Sequence, residues 1–78
     1  MVICTDNYLM TIIPYERKVK INITRFDHNN KVIGDVTVFC GYDAYAYKKL
    51  VKVKEGTENA EKTINHFYIM FSKMDIDK

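Results

Sequence analysis

The amino-acid sequence predicts a small α+β fold: a three-stranded antiparallel sheet (β-β-β) followed by two helices packed on one of its faces. Three observations predict it. Residues 17–26, RKVKINITRF, place Val19, Ile21 and Ile23 between Lys18, Lys20, Asn22 and Thr24, the period-two pattern of a strand with one buried and one wetted face. DHNNK at 27–31 offers Asp and Asn residues that tolerate positive φ, so the chain can reverse there in a short hairpin loop. Residues 57–75 repeat apolar side chains at helical spacing, with Ala60, Ile64, Phe67, Tyr68, Phe71 and Met74 in one stripe suited to packing on a sheet.

The remaining elements follow in order. YLMTIIPY at 8–15 is apolar and rich in β-formers but lacks clean alternation, and Pro14 either stops the strand or confines it to a sheet edge. The return strand, KVIGDVTVFC at 31–40, sets Val36, Val38 and Cys40 on one face, and Gly34 within it marks a bulge. GYDAYAYKKLVKVK at 41–54 carries both alternation and a helical period. Read as a strand, its two faces mix apolar and charged residues. Read as a helix, Ala46, Leu50 and Val53 align beside Tyr47, while Tyr45, Lys48, Lys49 and Lys52 gather opposite. Helix separates them better, with Asp43 as the expected N-cap, lysines towards the C-terminal end and Gly56 closing it; LVKVK is the part most prone to be extended. For the last helix, Thr57 is the expected cap, Glu58 and Glu61 lie near the first turn, and the residues after Met74 are expected to fray.

Seventy-eight residues make a single domain, residues 1–78, near the lower limit for folding without disulfides or metals. A content of 47% hydrophobic residues excludes a disordered chain, and a net charge of +2 is too weak for a protein that coats nucleic acid along its whole surface. No apolar run reaches the roughly 18 residues of a membrane span, and the start, MVICTDNYLM, has no basic stretch. A cytoplasmic protein with no membrane partner is expected. Two cysteines are too few for a disulfide framework, so Cys4 and Cys40 are read as small buried hydrophobes. About half the residues are Lys, Ile, Asn, Tyr, Phe or Met. Their codons are AT-rich, which fits an AT-rich bacterium, a phage or a mobile element.

The chemistry-bearing residues do not assemble into a motif. Cys4, Cys40, His28 and His66 lack the spacing of a metal site, and the three glycines stand alone at 34, 41 and 56, so no phosphate loop is present. No catalytic residue, metal or cofactor is expected, and the protein is read as not an enzyme.

Three surfaces remain. Tyr45, Lys48, Lys49 and Lys52 on one helix face could neutralise phosphates while the ring stacks on a base, although a lysine-rich face is also the ordinary wet side of a helix. On the last helix, Lys62, His66, Ile69 and Lys73 run opposite the apolar stripe. An exposed Ile69 there is either unremarkable or the seed of a homodimer or partner interface. Tyr8 and Tyr15, beside the edge that Pro14 marks, would serve as amphipathic anchors. The function expected is that of a non-enzymatic small binding protein, encoded by a phage or mobile element, that inhibits a larger host protein or defence complex by occupying its surface. The alternative is an accessory nucleic-acid-binding protein that uses the lysine and tyrosine helix face.

Overall fold

The computed structural model describes the backbone of residues 1–76 and the side chains as far as Met74. Its sheet runs in chain order through β1 (Val2–Cys4), β2 (Tyr8–Tyr15), β3 (Lys18–Phe26) and β4 (Val32–Cys40), every neighbouring pair antiparallel. Two helices follow, α1 (Tyr45–Glu55) and α2 (Ala60–Ile76). The α+β class holds, and the strand count is corrected from three to four.

The added strand, β1, has three residues, too few to display a period. Tertiary bonding creates it. The Met1 amino group donates to the Ile12 carbonyl at 2.9 Å and the Ile12 N–H returns a bond of 2.9 Å to Met1. Thr5 makes the turn, its hydroxyl accepting the Tyr8 N–H at 3.0 Å while its own N–H reaches the Tyr8 carbonyl.

These bonds also fix which way each strand residue points its backbone, because outward bonding alternates along an antiparallel strand. Tyr8 and Ile12 bond towards β1, while Asn7 accepts from Phe26 of β3. Pro14 shares the parity of Ile12 and lies beyond the last β1 partner, so its missing donor faces open space. The strand therefore runs on through Pro14, which pairs with Val19 across β3.

One face of this sheet makes the core. Met10, Ile12, Val19, Ile21, Ile23 and Val36 are buried beneath Leu50 of α1 and Ile64, Phe67 and Phe71 of α2. Fully burying each such side chain contributes about 1.5–3 kcal/mol. The helices lie on this face alone. Leu9, Thr11, Ile13 and Tyr15 of β2, with their partners Thr24, Asn22, Lys20 and Lys18 of β3, form the opposite face.

The connections use local chemistry. In the loop between β3 and β4, the Asp27 carboxylate accepts the N–H groups of Asn29 and Lys31, and Asn30 takes a φ of 62°. A register shift follows, Arg25 pairing with Gly34 but Phe26 with Val32, which makes Ile33 the extra residue of a bulge. Between β2 and β3 the turn has only Glu16 and Arg17, with Glu16 at φ 59°.

Both helix starts differ from expectation. The N-cap of α1 is Ala44, with no side-chain bond, in place of Asp43. Asn59 caps α2 by accepting the Lys62 N–H at 2.9 Å, whereas Thr57 belongs to the end of α1, its hydroxyl and N–H both donating to the Lys52 carbonyl. Gly56 closes α1 in the left-handed conformation, φ 84°, as expected. The LVKVK segment is helical throughout. In α2, Met74 leaves the apolar stripe and is 55% exposed. The helix continues to Ile76, and the rest of the tail expected to fray lies outside the described residues.

Gly34 has a second role besides flanking the bulge. The Tyr68 ring of α2 lies over it, and a Cβ there would meet the Tyr68 hydroxyl and come within 2.9 Å of Cζ. Tyr68 is itself held against Tyr8, ring centroids 5.6 Å apart, with the Arg25 guanidinium 5.9 Å from its ring. Gly34→Ala should therefore destabilise the fold by about 1–3 kcal/mol in chemical denaturation, because Tyr68 must leave its place. The same substitution in a Tyr68→Ala background should cost much less, and additive costs would contradict the packing argument.

Candidate functional site

Among the described residues, two surfaces gather residues of functional interest, and the sheet register decides the first. Ile13 pairs with Lys20, which pairs with Phe39; one step further, Tyr15 pairs with Lys18. All five side chains therefore share the uncovered face at the end of the sheet nearest the Glu16–Arg17 turn. Ile13 and Tyr15 are each 53% exposed and Phe39 is 51% exposed, and the Tyr15 and Phe39 rings meet edge to face at 5.3 Å. Arg17, Lys18 and Lys20 surround this aromatic corner, with Glu16 as the nearby acid. The middle of the face is polar and internally bonded: the Asn22 amide donates to Asp35 at 2.7 Å and to Thr37 at 2.9 Å, and the Thr24 hydroxyl donates to Asp35 at 3.2 Å. Sequence reasoning found Tyr15 but missed Ile13 and Phe39. Their convergence needs the register across β3, which no single segment encodes.

The second surface is a shallow cleft of about 350 Å³ between the helices, bounded by Tyr45, Lys49, Glu58, Lys62 and His66 over a floor of Phe67. The cleft brings together four residues singled out in the sequence, Tyr45 and Lys49 from α1 and Lys62 and His66 from α2. The His66 ring stands edge-on to Phe67, centroids 5.1 Å apart, and Tyr45 lies 6.1 Å from Phe67. Lys49 is not a free cation, because its Nζ donates to Glu58 Oε1 at 2.8 Å. That contact holds the Lys49 ammonium above the usual lysine range and the Glu58 carboxyl below the usual glutamate range. Lys48 and Lys52 remain exposed on the same helix as Tyr45.

Other nominated residues separate. Ile69 and Lys73 are exposed on the outer side of α2, as expected, and Met70 and Met74 are exposed beside them. Tyr8 is corrected. It is only 2% exposed and belongs to the core, with its hydroxyl donating to Asn65 Oδ1. Burial, the largest influence, pushes its phenol above the usual tyrosine value; Arg25 opposes this and Glu61 and Tyr68 reinforce it. Even-numbered β2 residues face the helices, so Tyr8 and Tyr15 lie on opposite faces and cannot anchor one partner together.

The cysteines also part company. Cys4 is exposed on the outer face of β1, against the expectation of burial, while Cys40 is half-buried against the core. Burial pushes the Cys40 thiol upward, partly offset by a hydrogen bond from the Tyr47 backbone, which disfavours the nucleophilic thiolate. Among the described residues no three His, Cys, Asp or Glu side chains gather as metal ligands, and no helix is long and apolar enough to cross a membrane. No protein-family model, curated protein or solved structure matches the chain.

Two outcomes follow for these residues. Tyr8→Phe should lower stability by about 1 kcal/mol in urea titration, since it leaves Asn65 without its donor, and should leave any partner contact unchanged. For the Lys49–Glu58 pair, the lowered Glu58 carboxyl contributes stability that is present above the unfolded glutamate range and is lost as pH falls through the folded value. The raised Lys49 ammonium contributes below its unfolded range and is lost as pH rises through the folded one. Glu58→Gln should therefore flatten the acid limb of the stability profile slightly. The difference should shrink in high salt, because the pair is at the surface.

Proposed function

We propose that this chain is a non-enzymatic cytoplasmic binding protein that acts as an inhibitor, by occupying a surface of a larger protein with the uncovered face of its sheet. The observation that supports this reading is the aromatic corner, where Ile13, Tyr15 and Phe39 are each more than half exposed side by side on a rigid sheet. Aromatic side chains in the centre of a contact, ringed by polar groups, are the usual anchors of protein interfaces. Arg17, Lys18 and Lys20 around the corner select a partner whose apolar recess has an acidic rim. The composition, rich in residues with AT-rich codons, suits a protein encoded by a phage or mobile element, which makes a host protein or defence complex the first partner to try.

The nucleic-acid reading keeps one supporting observation. Tyr45 is 64% exposed on the helix that carries Lys48 and Lys52. It is the weaker reading because Lys49, in the middle of that face, is neutralised by Glu58.

The test is capture from host lysate with tagged protein, with and without nuclease, comparing the wild type, a Tyr15→Ala/Phe39→Ala variant and a Lys48→Glu/Lys52→Glu variant. A stoichiometric protein partner that survives nuclease, weakens at least tenfold in the aromatic variant and persists in the lysine variant is expected. Nuclease-sensitive capture lost only in the lysine variant would replace this reading with the second one.

A further inference from the structure

The two edges of the sheet are protected to very different degrees. On one side β1 covers only Leu9, Met10 and Thr11 with its three residues, and Met1 extends that cover to Ile12. Beyond it, Pro14 offers no donor. This edge is short and blunted, in the way natural sheets avoid edge-to-edge pairing. On the other side β4 is nine residues long, contains no Pro and no Lys, and carries Asp35 as its one charged residue. Among the described residues no backbone hydrogen bond reaches its outer side.

The bonding parity identifies the free groups. Odd-numbered residues of β2 bond to β3, so even-numbered residues of β3 bond back to β2 and its odd-numbered residues bond to β4. The partners of Ile23, Ile21 and Val19 are Val36, Val38 and Cys40. Asp35, Thr37 and Phe39 are left with their N–H and C=O groups directed away from the sheet.

We propose that the β4 edge pairs antiparallel with the β4 edge of a second copy, giving a homodimer with one continuous eight-stranded sheet and all four helices on the same side. Charge selects the register. A twofold axis at Asp35 would oppose two carboxylates and is disfavoured. An axis at Thr37 sets Thr37 against its own copy and Asp35 against the partner's Phe39, so that every outward N–H and C=O from Asp35 to Phe39 finds a match. In this register Lys20, which neighbours Phe39 on β3, comes within about 10 Å of the partner's Asp35, two strand spacings away, and the charges are complementary. Strand pairing alone falls short of the ~800 Å² per partner of a stable interface. Val32, Ile33 and Tyr42, each 45–56% exposed at or beside the edge, supply further apolar area.

The full chain should have twice the monomer mass by sedimentation at high micromolar concentration and dissociate on dilution. Thr37→Lys, which sets two lysines against each other at the axis, should shift the dissociation constant at least tenfold or give monomer alone. Ile69→Asp, on the outer side of α2, should remain dimeric. A second readout does not depend on the variant's folding. Amide exchange at Asp35, Thr37 and Phe39 should slow with rising protein concentration, while Val36 and Val38 stay protected throughout. A wild type that is monomeric at every concentration, a dimer broken by Ile69→Asp, or exchange at the three outward amides that is independent of concentration would each overturn the proposal.

Discussion

Everything in this structure depends on the one-sided core. Seventy-eight residues provide a single apolar layer, and the chain spends it between the helix-facing side of the sheet and two amphipathic helices. Val19, Ile21 and Ile23 of β3 are its middle, buried to within 1%. Phe67 and Phe71 from α2 and Leu50 from α1 close over them. Both helices are used on that one face, and among the described residues nothing covers the other. The composition of the uncovered face follows from a different rule, compatibility with water and with whatever touches it.

That division explains the unequal treatment of tyrosines. Tyr8 puts its ring in the core and satisfies its hydroxyl with Asn65, because a buried phenol left without a partner costs about 1–3 kcal/mol. Tyr15, seven residues along the same strand, falls on the opposite face and meets Phe39 in the open. Tyr68 does neither job. It is half-buried over Gly34, and the missing Cβ of that glycine is what lets α2 approach the bulged end of β4. Each ring has its role from strand or helix parity, and side-chain type alone separates none of them.

The sequence reveals the parts of the fold whose signals are local. The alternation of 18–24, the Asp-Asn turn after it, the helical sorting of 45–54 and the Gly56 cap all appear in the structure where those residue types place them. The parts it hides are set by distant contacts. β1 exists because Met1 bonds to Ile12. In β2, Leu9 and Ile13 are apolar on the outer face, which masks the buried alternation of Tyr8, Met10 and Ile12. Thr57 has a cap's chemistry, but where the preceding helix ends puts it at that helix's terminus and leaves the capping of α2 to Asn59. The Tyr15–Phe39 corner was half legible for the same reason. One ring is visible beside Pro14, whereas the other arrives through two strand registers.

The aromatic corner and the β4 edge meet at Phe39, whose backbone belongs to the edge and whose ring belongs to the face. Edge pairing about Thr37 uses the backbone and leaves the ring on the uncovered side, opposite the partner's Asp35. In the proposed dimer the two corners would lie on one continuous face, related by the twofold axis and held at a fixed separation by the sheet. A target with repeated or symmetric recesses would be engaged twice, the second contact being intramolecular, and avidity can exceed the single-site affinity by about 10²–10⁴-fold without any new contact. For a small protein with one modest anchor cluster, this is a physical route to tight occupation of a large surface. It requires nothing from the helices beyond holding the sheet rigid.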